Sequence, residues 1–291
     1  MNSNDQLRSA TGEDFVRLIH ETAAGELLPT LENPSLNEEL LCLVLQRKDL
    51  PSEFLQEVVV RRHFLKSYRV KKALAFHPHT PRTEGFRLLR ELYLMDLVRF
   101  AASPGVLPDM KIKAEEQVIA KLPQLPLGQK ITLARKAPAR ITGALLAEGN
   151  PPVVKAALAN PNLTEAQVLR VLSRDKLTAL VVKSIAQDAK WRHVYNVRVA
   201  LVRQPAMTLA AVLRFLPELT ISDLRELAAP GILPENLRHY LEAEIGRRLE
   251  RPKNQGESAP VESGDRGDVG GRDTVRGEDS GGGDSGSAGG E

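Results

Sequence analysis

Apolar positions recur at helical spacing in short segments along most of the chain. In the segment 165–174, the apolar side chains fall on one side of a helix, and Gln167, Arg170 and Arg174 fall on the other. No alternating apolar run bounded by turn residues competes for a strand. The pattern therefore predicts an all-α fold made of short amphipathic helices.

Prolines divide these helices into units that follow one plan: a helix, a proline, a polar cap and a second helix. The central prolines are Pro34 and Pro78 in one pair and Pro161 and Pro205 in another, with the same spacing within each pair. Pro161 ends the preceding helix, and Thr164 with Gln167 has the spacing of a capping box for the next one. Each unit is therefore predicted to be a two-helix hairpin.

A longer repeat contains these units. Aligning the segment 31–50 with 158–177 gives 9 identities in 20 positions. The same shift, which moves Leu31 onto Leu158, gives 12 identities in 33 positions between 70–102 and 197–229. We interpret this as an internal duplication, and self-similarity at a fixed period is typical of repeat architectures.

The pattern VKAALANPNLTEAQVLRVLS is echoed in VRVALVRQPAMTLAAVLRFL and VKKALAFHPHTPRTEGFRLL. It resembles the units of HEAT-like and leucine-rich-repeat-variant solenoid proteins. The resemblance implies a right-handed α-α superhelix, here of about six helical hairpins, whose concave face binds protein, nucleic acid or, less often, something small. Leucine-rich-repeat-variant proteins can carry a cysteine-bound iron–sulfur cluster, for which one cysteine is too few.

Composition divides the chain further. Residues 252–291 hold 12 of the 21 glycines and a net charge of −5, which leaves +8 for the remainder. We expect disorder at 1–10, an α-solenoid at 11–251 with copies at about 31–108 and 158–234, and a disordered acidic tail at 252–291.

The single cysteine, Cys42, excludes disulfides and cysteine-based metal centres, and we expect it to be a small buried hydrophobic residue. The N-terminus lacks the features of a secretory signal, and no apolar run reaches the length of a membrane span. We therefore expect a cytoplasmic protein without a membrane span.

The segment RRHFLKSYRVKK, residues 61–72, is the best nucleic-acid signal, because it mixes seven cationic or histidine positions with Phe64 and Tyr68. Its counterpart in the second copy places Trp191 and Tyr195 at the two aromatic positions. The alternative is that the tyrosines pack at helix starts while the cations form a solvated face.

An arginine also recurs nine residues after the unit proline, at Arg87, Arg170 and Arg214, and Leu43 replaces it in the remaining unit. Stacked units would place these arginines along one face as a basic ladder. Alternatively, local pairs neutralise them, with Glu84 and Glu91 near Arg87 and with Glu218 near Arg214.

Two further pairs suggest chemistry only weakly. His77 and His79 are too few ligands for a metal site, and we expect them to be solvent-exposed turn residues. Asp96 and Asp223 recur in the first turn of a helix, where the helix dipole favours a carboxylate without any catalytic role. The sequence thus predicts no catalytic residue, no cofactor and no metal site.

The leading hypothesis is a non-enzymatic interaction scaffold that binds a protein partner through its curved surface. The alternative is a nucleic-acid-binding HEAT-like protein that uses a basic face, with the acidic tail as a competitor of phosphate. A chaperone or lyase-like accessory protein is a third hypothesis, which no residue favours. The partner-binding candidates are Arg61, Arg62, Lys66, Arg69, Lys71, Lys72, Arg87, Arg170, Arg174 and Arg214.

Overall fold

The structure, a computed structural model, describes residues 3–250, and the acidic tail lies outside this range. The described residues form helices and connecting turns without any strand, which confirms the predicted all-α class. The α-helices are α1 (Ser3–Ser9), α2 (Gly12–Glu21), α3 (Glu38–Val44), α4 (Ser52–Val60), α5 (Tyr68–Phe76), α6 (Arg82–Leu89), α7 (Leu94–Ala102), α8 (Pro108–Lys121), α9 (Leu127–Lys136), α10 (Ala139–Ala147), α11 (Pro151–Leu158), α12 (Glu165–Leu172), α13 (Ala179–Gln187), α14 (Tyr195–Val202), α15 (Leu209–Phe215), α16 (Ile221–Leu227) and α17 (Glu235–Glu250).

Short 3₁₀ helices connect some of these elements. They are Ala24–Glu26, Leu28–Glu32, Phe64–Lys66, Leu122–Gln124, Trp191–His193 and Leu216–Glu218. The 17 α-helices of residues 3–250 exceed the twelve that six hairpins would supply. The described chain therefore divides into more helices than the sequence pattern predicted, and several of the breaks, such as 61–67 and 188–194, contain neither proline nor glycine.

The helix bounds of the second half follow those of the first at a nearly constant distance. Helices α4 and α13 begin at Ser52 and Ala179, which are separated by the same shift that aligns Leu31 with Leu158, and their last residues keep that shift. The two 3₁₀ turns that follow them, Phe64–Lys66 and Trp191–His193, keep it as well. The two halves of the described chain thus carry a similar succession of helices.

Helices contact mainly their near neighbours in sequence. Helix α3 contacts α5, α5 contacts α6, and α7 contacts α8; in the second half, α10 contacts α11 and α12, and α12 contacts α14. Helix α8 contacts α10 and so connects the halves. One buried apolar cluster extends from Leu7 to Leu201, and a second extends from Val202 to Leu241.

Asn160, which precedes a unit proline, is a buried hydrogen-bonding residue. Its amide Nδ2 donates to the carbonyls of Ala134 (2.8 Å) and Ala137 (3.1 Å) and to the hydroxyl of Thr142 (2.8 Å). Its Oδ1 accepts from the backbone N–H of Asn162 (2.8 Å). Asn160 therefore ties the turn of its unit to the C-terminal end of α9.

Asn33 makes the same contacts in the first half. Its Nδ2 donates to the carbonyls of Leu7 (2.8 Å) and Ala10 (2.9 Å), and its Oδ1 accepts from the N–H of Ser35 (2.7 Å). Leu7 is fully buried. The expectation of a disordered N-terminus is therefore wrong for residues 3–9, because Leu7 fills the core and Asn33 holds the end of α1.

His77 precedes the second unit proline, and the expectation of an exposed histidine is wrong for it, since it is only 4% exposed. Its Nε2 hydrogen-bonds to the carbonyl of Arg47 (2.7 Å), and its Nδ1 accepts from the N–H of His79. Burial lowers the pKa of His77, and the bond to the Arg47 carbonyl opposes this only in part. His79 is exposed, as expected.

Gln204 occupies the fourth such position and donates to the carbonyl of Leu172 (2.7 Å). Every residue that precedes a unit proline therefore bonds to the backbone of an earlier helix end. The predicted capping box of Thr164 is not formed, since its hydroxyl makes no cap hydrogen bond, although Thr164 occupies the N-cap position of α12. Asn37, at the equivalent position before α3, does cap with its side chain.

Candidate partner-binding cleft

A cleft of about 640 Å³ opens in the second half between α13, the turn Trp191–His193 and α15. We call it the cationic cleft, and it is lined by Ala179, Lys183, Ala186, Gln187, Arg192, His193, Ala206, Met207, Thr208, Ala211, Arg214, Phe215 and Glu218. Its volume lies in the range of small-molecule and side-chain pockets. Its three cations, Lys183 on α13, Arg192 on the 3₁₀ turn and Arg214 on α15, surround one cavity.

The turn that carries Arg192 is held from its buried side. The carboxylate of Asp188 accepts from the backbone N–H groups of Lys190 (2.9 Å) and Trp191 (3.1 Å). The Trp191 side chain is only 2% exposed, and its indole N–H donates to the carbonyl of Leu158 (3.4 Å). Trp191 therefore anchors the turn in the core, which leaves Arg192 exposed at the cleft.

Buried Arg198 also stabilises the turn Trp191–His193. This buried guanidinium donates to the carbonyls of Arg192 (3.2 Å) and His193 (3.3 Å) and forms an ion pair with Glu218 (2.7 Å). A buried charge is stable only when it is paired and hydrogen-bonded in this way. Glu218, the only acid of the cleft lining, is therefore already engaged.

Arg214 differs from its counterpart Arg87 in its neighbours. Arg87 forms an ion pair with Glu84, three residues before it (3.6 Å), whereas Ala211 stands three residues before Arg214. Glu218 follows Arg214 by four residues but pairs with Arg198 instead. Within residues 3–250, the Arg214 side chain makes no hydrogen bond or ion pair. The predicted local neutralisation is thus found for Arg87 and is wrong for Arg214.

The remaining lining is largely apolar. Met207 and Phe215 are half-buried and pack against both apolar clusters of the core. Four alanines complete this surface: Ala179, Ala186, Ala206 and Ala211. Thr208 caps α15, with its hydroxyl accepting from the N–H of Ala211 (3.4 Å). Cations thus surround a small apolar surface.

Most cations of the predicted 61–72 cluster are paired with acids. Arg61 pairs with Glu57 (3.2 Å), Arg69 with Glu38 (3.7 Å) and Glu39 (3.9 Å), Lys71 with Glu91 (2.5 Å), and Lys72 with Asp96 (2.8 Å). Phe64 and Tyr68 are half-buried. The 61–72 cluster is thus closer to the alternative prediction, in which the tyrosines pack at helix starts and the cations form a solvated face.

Besides Arg214, four candidate cations keep free side chains among the described residues: Arg62, Lys66, Arg170 and Arg174. Lys66 borders a second cavity of about 400 Å³ together with His63 and Phe64. Arg174 is exposed, whereas its first-half counterpart Arg47 donates to the carbonyls of Ile19 and Thr22 (both 2.7 Å). At these equivalent positions, Arg47 is therefore held by hydrogen bonds within the fold, whereas the Arg174 side chain has no partner among the described residues.

The repeated tyrosines and aspartates form two matching caps. The Tyr68 hydroxyl donates to the Asp96 carboxylate (2.5 Å) and accepts from the N–H of Tyr93 (3.0 Å). In the second half, the Tyr195 hydroxyl likewise hydrogen-bonds to the Asp223 carboxylate and accepts from the N–H of Thr220 (3.0 Å). The carboxylates stabilise the starts of α7 and α16. These contacts account for both aspartates structurally.

We expect Asp96→Asn to destabilise the protein by about 1.5–3 kcal/mol at neutral pH, because it removes hydrogen bonds to a charged group. Burial raises the pKa of Asp96, but the bonds from Lys72 and Tyr68 outweigh it, so the net pKa is lowered. A lowered folded-state pKa contributes stability above the unfolded value near 4 and loses it as pH falls through the folded value. The gap in melting temperature between wild type and variant should therefore narrow below about pH 4. A gap that stays constant down to pH 3 would contradict this charge effect.

Cys42 is half-buried against the main core, and burial raises the pKa of its thiol. Among the described residues, no group of three or more histidine, cysteine or acidic side chains could hold a metal ion. Within residues 3–250, every helix is too short or too polar to cross a bilayer.

Comparisons with protein families, with curated proteins and with solved structures found no match to this chain. The interpretation of the site therefore depends on its own geometry. Sequence reasoning had identified Arg214 but missed Lys183, Met207 and Phe215 as its neighbours. The missed signal was the replacement of Glu84 by Ala211 in the second copy, which frees the arginine.

Proposed function

We propose that this chain is a non-enzymatic helical-repeat protein that binds a protein partner through the cationic cleft. Its body would be a duplicated, right-handed α-α superhelix, a proposal that the constant offset between the helix bounds of the two halves and the contacts between sequence neighbours support. The observation that carries the binding function is the cleft itself, where Arg214, unpaired among residues 3–250, lies beside an apolar surface.

A protein partner suits this surface because cationic and apolar side chains lie side by side in the cleft. Buried interface cores are apolar and aromatic, often with arginine, and they contribute most of the binding energy. Lys183, Arg192 and Arg214 are exposed around half-buried Met207 and Phe215. The fixed turn under Arg192 reduces the entropy that would be lost on binding.

Nucleic acid is the second candidate, and the free cations Arg62, Lys66, Arg170 and Arg174 favour it. Against it, three of the four aromatic side chains in the two predicted nucleic-acid segments are occupied. Trp191 is buried, and the hydroxyls of Tyr68 and Tyr195 are bound in the helix caps. We therefore expect only weak, strongly salt-dependent binding of oligonucleotides.

Photo-crosslinking from the cleft tests this function. A photoreactive residue replaces Gln187, which is exposed at the cleft, in the full chain, and the protein is exposed to a lysate of its source cells. The same residue at Val60, the exposed first-half counterpart, is the matched control.

We expect a discrete protein adduct from position 187 that is at least about ten times stronger than that from position 60, by mass spectrometry. Equal labelling from both positions, or adducts to nucleic acid alone, would refute the proposed function.

A further inference from the structure

The charge of the cationic cleft is specific to the second half. Its lining carries Lys183, Arg192 and Arg214 against Glu218, and Glu218 is paired with buried Arg198. At the equivalent positions of the first half, a glutamine replaces Lys183, a leucine replaces Arg192 and Lys66 replaces His193. The counterpart of Arg214 is paired with an acid, so Lys66 and Arg87 stand there against Glu84 and Glu91. An anionic ligand would therefore distinguish this cleft from the equivalent first-half surface.

The arrangement of the cations favours several spread charges over one compact anion. Lys183 projects from α13, Arg192 from the 3₁₀ turn and Arg214 from α15, all three exposed. Cations from separate elements around a cavity of about 640 Å³ match carboxylates distributed along a ligand.

The apolar part of the cleft adds a second requirement. Phe215 offers a half-buried ring, and Met207 offers a flexible thioether side chain that adapts to irregular partners. The neighbouring alanines leave room for an inserted side chain. A ligand that satisfies both chemistries must present an apolar side chain flanked by acids.

We propose that the cationic cleft binds an acidic amphipathic peptide segment of a protein partner. An apolar side chain of the segment packs on Met207 and Phe215, and its carboxylates pair with Lys183, Arg192 and Arg214. This inference depends on the proposed function and specifies the chemistry of its partner. Ala211 is then a specificity-determining residue, because a glutamate there would restore the pairing that neutralises the counterpart of Arg214 in the first half.

Peptide display tests the proposal without knowledge of the partner. The full chain selects from a random library of 12-residue peptides, and one enriched peptide is synthesised with a fluorescent label for anisotropy titrations. We expect the enriched peptides to be more acidic than the library and to share a large apolar residue. An unlabelled oligonucleotide serves as the competitor.

Four variants locate the binding. Arg214→Glu and Ala211→Glu should each weaken the peptide at least about tenfold at low salt, and Ala211→Glu should weaken it clearly more than Ala211→Gln. Arg87→Glu, outside the cleft lining, should change its Kd less than about threefold. Ala211→Gln controls for side-chain size, and Arg87→Glu controls for charge on the equivalent helix. Circular dichroism melting confirms that each variant is folded.

Several results would overturn this inference. They are an absence of enriched peptides, enrichment of neutral or basic peptides, unchanged binding by Arg214→Glu, and displacement by the oligonucleotide at equal concentration. If position 187 still crosslinks a protein partner in those cases, the proposed function stands and only the acidic chemistry fails.

Discussion

Replacing Trp191 by alanine should lower the free energy of unfolding by about 3–5 kcal/mol, the largest loss expected for any single substitution here. The side chain is among the largest that are fully buried, and its N–H donates to the carbonyl of Leu158. Truncation would leave a cavity under the turn and an unpaired carbonyl. Urea unfolding followed by circular dichroism measures the change.

The first half supplies the control for this prediction. Phe64 is the counterpart of Trp191 but is only half-buried. We therefore expect Phe64→Ala to lower the free energy of unfolding clearly less than Trp191→Ala does. The stability of Trp191→Phe should lie between those of wild type and Trp191→Ala. A Trp191→Ala variant within about 1 kcal/mol of wild type would show that the turn does not depend on this anchor. The Trp191→Ala variant should also bind the peptide more weakly, because Arg192, which lines the cleft, follows Trp191 directly.

The all-α class could be predicted from sequence because its cause is local. Apolar spacing and proline positions act within one or two turns of helix, and both are visible in segments such as 151–172. The same locality explains the prediction that Tyr68 and Tyr195 lie at helix starts. Their bonds to Asp96 and Asp223 span 28 residues, and no periodicity reveals such contacts.

His77 illustrates where sequence reasoning failed. A histidine beside a proline is typical of a turn, and turns usually face solvent. The position is equivalent to Asn33 and Asn160, however, so its ring takes over the bond to an earlier helix end. Aligning the units at their prolines would have indicated a structural role.

The cleft was only partly predictable for a different reason. The repeated arginine is visible in the sequence. Whether a nearby acid neutralises it depends on which cation that acid pairs with in the folded chain. Glu218 could pair with Arg214 or with Arg198, and only the folded arrangement brings Arg198 within 2.7 Å of it. The pairing between distant residues therefore decides which cation stays free, and single-sequence spacing does not contain it.

Under the proposed function, the similarity of the two halves gives a physical reason why one half can bind while the other maintains structure. The paired acids of the first half, Glu84 and Glu91, satisfy their cations internally. In the second half, Ala211 removes one acid without loss of helix propensity, since alanine is the best helix former. A single position thus changes the charge of the surface while the helix is retained.

Replacing Asn160 by alanine should cost about 2–4 kcal/mol of unfolding free energy, because buried polar groups would lose their partners. The Ala134 carbonyl would be left without a donor, since Pro138 lacks the N–H that normally follows four residues later in a helix. Asn160→Asp should be at least as harmful, because it retains the acceptor for Asn162 but replaces the donor with a charge. Asn162→Ala removes an exposed hydrogen bond from the Asn162 side chain to the carbonyl of Lys136 (3.2 Å) and should cost no more than about 1 kcal/mol. The midpoints of urea unfolding for the three variants measure these losses of stability. Equal losses of unfolding free energy at positions 160 and 162 would contradict the assigned role of the buried Asn160 amide.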